Sequence, residues 1–257
     1  MWPEPVRPAH IQPTRPEKHS LGALKINYVI YCYLTIVLLT PAYTYHMAVS
    51  HKQEPPFPHA TVTNTACHYP QAQVFRWTMT SAGCFLTLIF HTVFRWYEMQ
   101  AKKYSFPGNT YSYMYWPTMI SVVGYLAAIG TIDTGGTGTV HTVGAVYFFI
   151  MLYFMVVNFT IIARKMRNWN TKFMSRFSLV AKVVVAGYLS IVWIYCIIGL
   201  ISEAVSPAND DDKYIVIVEW NLVYAGLVWI LCFLPDFKKV YFVLNPKTMT
   251  IGLDEFQ

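Results

Sequence analysis

The chain has 257 residues and a formal charge of +6, yet only 12% of its residues are charged, while 55% are hydrophobic and 17% aromatic. A soluble domain carries about twice that charged fraction, so much of this surface meets something other than water. The sequence holds no zinc-type cysteine pair, phosphate-binding loop or RNA-binding signature, and its basic residues sit between apolar runs, which argues against a nucleic-acid partner.

Residues 1–25 form a polar arm punctuated by Pro3, Pro5, Pro8, Pro13 and Pro16. Such a segment is extended and has no helical periodicity. It resembles neither a cleaved signal peptide nor an amphipathic presequence. Its expected role is to dock onto another subunit.

Six apolar runs follow, at about Ile26–Ala48, Phe75–Tyr97, Tyr113–Ile132, Val140–Ile162, Leu179–Ile201 and Tyr214–Leu234. Crossing the hydrocarbon core takes roughly 20 apolar residues. Each run is apolar on every face, and a soluble bundle of this length has nothing left to cover six of them. The expected fold is all-α, a polytopic bundle of six transmembrane helices over residues 26–240, followed by a tail at 241–257.

The segments between runs separate by charge. One side collects Arg7, Arg15, Lys18 and Lys25 of the arm, then Arg95, Lys102 and Lys103, then Arg164, Lys165, Arg167, Lys172 and Arg176, and finally Lys238, Lys239 and Lys247. The other has Lys52, Arg76 and Lys213. The excess puts both termini on the cytosolic side, or the matrix side of a mitochondrial membrane. Trp77, Trp96, Trp116 and Trp220 lie near span ends, as an interfacial belt would. Gly124 and Ala128 on the third span, with Gly144 and Ala145 on the fourth, allow close helix approach. Cys32, Cys84, Cys196 and Cys232 fall inside apolar runs and Cys67 in a water-facing loop, so no disulfide framework is expected.

Ionisable residues at membrane depth are costly, and each is a functional candidate. Asp133, His141 and Glu219, with Asn221 beside the last, are placed in the outer leaflet on or near the third, fourth and sixth spans. A His141–Glu219 hydrogen bond would lock the fourth span to the sixth, or the pair would meet a lipid headgroup. His46 and His91 lie at different depths, which argues against a bis-histidine haem. Lys182, near the start of the fifth span, is read as snorkelling to the interface. Arg164, Lys165 and Arg167 are candidates for anionic headgroups. No cofactor, metal site or catalytic constellation is expected.

Three stretches resemble the FRAG/DRAM/SFK family of six-span proteins, which includes the damage-regulated autophagy modulators and the Golgi factor for GPI-lipid remodelling. Val62-Thr63-Asn64-Thr65, then Tyr69-Pro70-Gln71 and Val74-Phe75, resemble the family's outer-loop motif, here marked by Asn64, Pro70 and Phe75. Gly124 to Gly130 with His141-Thr142-Val143-Gly144-Ala145 resemble its third and fourth spans. Glu219-Trp220 and Asp236-Phe237-Lys238-Lys239 resemble the ends of its last span. Asn64 and Gln71 stand where the family has Asp and Glu, and Tyr69 replaces a proline. The expected function is therefore a non-catalytic accessory subunit of a larger membrane complex, of respiratory-chain type in the mitochondrial inner membrane. The resemblance implies the alternative, a lipid-handling or autophagy-related protein of secretory or lysosomal membranes.

Overall fold

The computed structural model describes residues 23–107, 112–133, 136–205, 213–238, 240–245 and 250–255. The proline-rich arm before residue 23 lies outside them, and with it the expected docking role. The helices are α1 (Ile26–Ser50), α2 (Val62–Thr65), α3 (Gln71–Lys103), α4 (Tyr115–Gly130), α5 (Thr139–Trp169), α6 (Arg176–Val205) and α7 (Lys213–Leu231). Five of them, α1, α3, α5, α6 and α7, are long and apolar enough to cross a membrane.

The expected spans differ from these helices mainly at their ends. At 33 and 31 residues, α3 and α5 run past the apolar stretch into basic last turns. In contrast, α4 has only 16 residues. Ser112–Met114 before it forms a 3-10 turn, and Ile132 after it belongs to a strand.

Consecutive long helices pack side by side, α1 on α3, α3 on α4, α4 on α5, α5 on α6 and α6 on α7, and α7 touches α1 to close the ring. The α4–α5 approach depends on absent side chains. A Cβ on Gly144 would sit 2.5 Å from the Gly124 carbonyl oxygen and 3.2 Å from the Ala128 nitrogen. An aromatic stack fills one end of the bundle, with Tyr97, Phe159, Trp229 and Phe233 buried together. Trp96 belongs to this core at 2% exposure and is not part of an interfacial belt, whereas Trp77 and Trp116 are 79% and 69% exposed. Its indole packs on Tyr97, Phe173 and Phe237.

The fold is not purely helical. Strand β4 (Val240–Asn245) pairs antiparallel with β1 (Ala23–Lys25) on one side and β5 (Thr250–Glu255) on the other, with Leu24 opposite Phe242. Residues 23–25, read as arm, and residues 241–245, read as tail, are therefore joined to each other. The pairing places the start of α1 and the end of α7 at one end of the bundle, here called the terminal end. A two-stranded hairpin, β2 (Ile132–Asp133) and β3 (Gly136–Thr137), links α4 to α5.

Lys182 does not snorkel. Its ammonium, near the terminal end of α6, donates to Asp236 Oδ2 at 2.7 Å, Ser178 Oγ at 2.6 Å and the Cys232 carbonyl at 3.0 Å. The Phe233 ring centroid lies 4.1 Å from it. The side chains of Lys182 and Asp236 are 0% and 3% exposed. A carboxylate in the turns that follow α7 makes burial less costly than a stretched path to the interface, because all three ammonium hydrogens find acceptors.

Candidate functional site

At the opposite end of the bundle, the segment between α1 and α3 folds back over the helices. Phe57 N donates to the Tyr45 hydroxyl at 2.8 Å, the Trp220 indole donates to Ala60 O at 3.0 Å, and His68 meets Glu54 at 2.8 Å. These contacts hold α2 against the bundle. Thr61 caps α2, its hydroxyl accepting from Asn64 N at 2.9 Å.

The first N–H groups of a helix have no acceptor within it. Here the carboxylate of Glu219, on α7, supplies one. Glu219 Oε1 accepts from Thr63 N at 3.2 Å and from the Thr63 hydroxyl at 2.6 Å. The Thr61 hydroxyl and Val62 N–H also lie against this carboxylate.

His141, in the first turn of α5, is buried. Its Nδ1 lies 2.8 Å from the Ala128 carbonyl oxygen. A carbonyl only accepts, so Nδ1 carries a proton and donates it there. Nε2 faces the Thr63 hydroxyl oxygen at 3.3 Å. The direct His141–Glu219 bond expected from sequence is replaced by a chain of three, with Thr63 between them. That chain ties α5 to α7 through α2, and the Gly124–Gly144 approach brings Ala128 within reach of His141.

Two hollows meet at these side chains. A central cavity of about 80 Å³ is lined by Tyr33, Phe75, Met79, Tyr125 and Phe148, with Thr63, His141 and Glu219 at one end. A groove of about 450 Å³ among α5, α6 and α7 is lined by Ala145, Phe149, Trp193, Leu200 and Val218, and by the same Thr63, His141 and Glu219. Ala145, Phe149 and Leu222 also line both. No lysine or arginine lines either hollow among the described residues.

A family model described as the Frag1/DRAM/Sfk1/Cwh43P N-terminal domain matches residues 21–240. The chain belongs to this family. No curated protein and no solved structure matches it. Thr63, His141 and Glu219 all fall inside the matched Frag1/DRAM/Sfk1 domain, which ends where β4 begins.

The other candidates in this Frag1/DRAM/Sfk1 domain disperse. Asn221 turns away from Glu219, bonding the Tyr188 hydroxyl on α6 and donating to Ile217 O at 2.6 Å. Asp133 lies in β2, and its side chain is outside the described residues. In the loop motif, Asn64 is exposed beside the groove, Pro70 precedes α3, and Phe75 is buried in the cavity wall. Cys67 is buried, not water-facing, with its thiol 3.3 Å from Thr63 O. Arg164 and Lys165 are exposed, but Arg167 donates to Thr171 O at 3.1 Å and to Met174 O, closing the turn after α5. His91 bonds the Tyr115 hydroxyl at 3.1 Å, and His46 is exposed. Among the described residues no group of three or more His, Cys, Asp or Glu is placed to hold a metal.

Sequence reasoning missed Thr63. It stands inside the quoted Val62-Thr63-Asn64-Thr65 stretch, yet a threonine in a polar loop has no cost that marks it out. Only the fold-back of α2 gives it a role.

Proposed function

We propose that this protein admits a membrane lipid sideways into the groove among α5, α6 and α7, with the headgroup against Thr63, His141 and Glu219. The observation that carries the reading is that these three polar side chains are shared by the groove and the central cavity. Ligand sites are commonly apolar hollows with a few convergent polar groups, and an amphiphile's head and chains match that division. The role is binding and presentation, without a covalent step. Filling the shared wall tests it. Ala145→Leu should strip phospholipid from chain purified in mild detergent while leaving the melting temperature within a few degrees. Undiminished lipid in that variant would overturn the reading.

The proposal includes six spans with both termini on the cytosolic or matrix side. At about 1.5 Å per residue, α4 rises roughly 24 Å against a hydrocarbon core of about 30 Å, so the 3-10 turn before it completes the crossing. The β1–β4 pairing supports termini on one side, and the basic segments support which side that is.

One observation favours a second reading, an accessory subunit of a larger assembly such as a respiratory-chain complex of the mitochondrial inner membrane. Only 17% of the apolar stretch of α6 is buried, against 39% to 50% in the other four long helices. Co-migration of the chain with a large complex under mild detergent would favour this reading. A chain carrying only lipid favours the groove, and with it a secretory or lysosomal membrane.

A further inference from the structure

We propose that α6 and α7 move as one unit away from α5, so that the seam between α5 and α6 is a lateral gate for the lipid. This inference rests on the lateral-groove reading and adds to it the route by which the lipid enters and leaves.

The three helices around the groove are fastened unequally. Ties between α6 and α7 run along most of their length. Near the terminal end Lys182 donates to the Cys232 carbonyl at 3.0 Å and to Asp236 at 2.7 Å. Midway, the Tyr188 hydroxyl bonds Asn221. Toward the opposite end the Tyr214 ring lies on Gly199, 2.4 Å from where a Cβ would stand. From Lys182 to Gly199 these ties cover about 26 Å of helix. Between α5 and α6, in contrast, a single hydrogen bond is found among the described residues, Tyr153 hydroxyl with Ser190 Oγ at 3.2 Å. The groove and a second hollow of about 290 Å³, lined by Ile150 and Phe154 of α5 and Ile194 and Ile197 of α6, both lie on that seam. In lipid, close packing and hydrogen bonds hold helices together, so the α5–α6 seam yields before the α6–α7 junction does.

The two ends of the seam differ as well. At the terminal end, Arg167 donates to Thr171 O at 3.1 Å and to Met174 O, closing the turn that joins α5 to α6. There α7 also packs on α5 through Trp229 and Phe159. At the opposite end the pair is held through α7 alone. Glu219 accepts from Thr63, and the Trp220 indole donates to Ala60 O at 3.0 Å. Those bonds reach the segment that carries α2 and do not reach α5. Releasing them lets the pair swing about its fixed terminal end, a hinge motion. His141, at the polar end of the groove, is 7% exposed, and a headgroup reaches it when the seam widens.

The experiment uses the full chain in mild detergent with its retained phospholipid, chased with deuterated phosphatidylcholine and followed by native mass spectrometry. Two links are placed in a background with Cys32, Cys84 and Cys196 replaced by alanine, and each is compared with its own unlinked form. Tyr153→Cys with Ser190→Cys, joined by a short bifunctional thiol reagent, ties the seam. Gly199→Cys with Tyr214→Cys ties α6 to α7 by a disulfide, which the geometry admits because a Gly199 Cβ would stand 2.8 Å from Tyr214 Cγ. The seam link should slow exchange at least about tenfold, a barrier raised by roughly 1.4 kcal/mol, while the α6–α7 disulfide changes the rate less than about twofold. Trp220→Phe keeps the ring beside Tyr45 but loses one latch bond, and should speed exchange about two- to tenfold. Unchanged exchange across a linked seam, with lipid still retained, overturns the gate and leaves the groove reading standing. Equal slowing by the α6–α7 disulfide overturns the rigid pair, and an unaltered rate in Trp220→Phe overturns the latch. Absence of retained lipid in the parent chain, with Ala145→Leu indistinguishable from it, overturns the groove reading itself.

Discussion

The two ends of the bundle bury ionisable side chains in opposite ways. At the terminal end, Lys182 is matched by Asp236, Ser178 and the Cys232 carbonyl, and neither charged side chain is more than 3% exposed. At the other end, Glu219 is held by the hydroxyl and backbone of Thr63, faces two hollows, and has no lysine or arginine partner among the described residues. Both satisfy the rule that buried polar groups are hydrogen-bonded. Only the second borders open space. A closed cluster fixes α6 to α7, while an open one has capacity for a ligand, so burial of a charge inside a membrane does not by itself mark a site. What marks one is a set of polar side chains that lines a hollow.

Opening the closed cluster should give the largest effect. Lys182→Met leaves Asp236 buried without its cation, and breaking such a pair costs about 3–5 kcal/mol. Thermal denaturation in detergent should show a large fall in melting temperature. The double variant Lys182→Met with Asp236→Leu should recover most of it, because neither charge then remains alone. Bound lipid should be unaffected in the folded fraction of either variant. A lipid-depleted but stable Lys182→Met would erase the distinction between the ends.

The next effect comes from the α4–α5 junction, which sets the Ala128 carbonyl against His141 of the open site. In Gly144→Val, the new Cβ meets the Gly124 carbonyl at 2.5 Å, and forcing α4 from α5 costs about 1–3 kcal/mol. The same displacement moves Ala128 O away from His141 Nδ1. Stability and lipid content should therefore fall together, unlike any change at Lys182. Loss of one without the other would separate the helix contact from the site.

How much of this was legible in sequence follows from what each residue costs where it sits. Long apolar runs have one physical solution in lipid, so the membrane-crossing helices were readable from hydropathy. His141 and Glu219 were readable because charge inside such runs is expensive. Thr63 was not, because its role depends on α2 folding onto α7, a contact spanning 156 residues of sequence. Lys182 was misread for a related reason. Near a span end, a lysine has two solutions, the interface or a buried carboxylate, and only the position of Asp236, 54 residues away, decides between them. Trp96 has the same ambiguity. A tryptophan near a predicted span end is interfacial only if the helix ends there, and α3 continues to Lys103. With three residues, β1 is too short for period-2 alternation to stand out, and β4 is apolar at Val240 to Leu244 without alternating.

Thr63→Val tests whether the bridge or the charge holds the open site together. The substitution keeps the shape and the backbone donor to Glu219 but removes the hydroxyl, a loss worth about 0.5–1.5 kcal/mol. A modest drop in melting temperature is expected, smaller than that of Gly144→Val. An effect as large as that of Lys182→Met would mean that the relay is a structural lock, and the two ends would then differ only in polarity.

The smallest stability effect should come from Glu219→Gln, and it is the most discriminating. The amide oxygen still accepts from Thr63 N and from its hydroxyl, so the clamp on α2 survives with a loss of about 1 kcal/mol or less. Its NH₂ group, however, places donors where the carboxylate had offered only acceptors. Phospholipid retained by the chain in mild detergent should fall, while the melting temperature shifts by a few degrees at most. Lys182→Met should show the reverse, with stability lost and lipid kept. If instead Glu219→Gln unfolds the chain as readily as Lys182→Met does, then α2 hangs on that one charge, and the open end is as structural as the closed one.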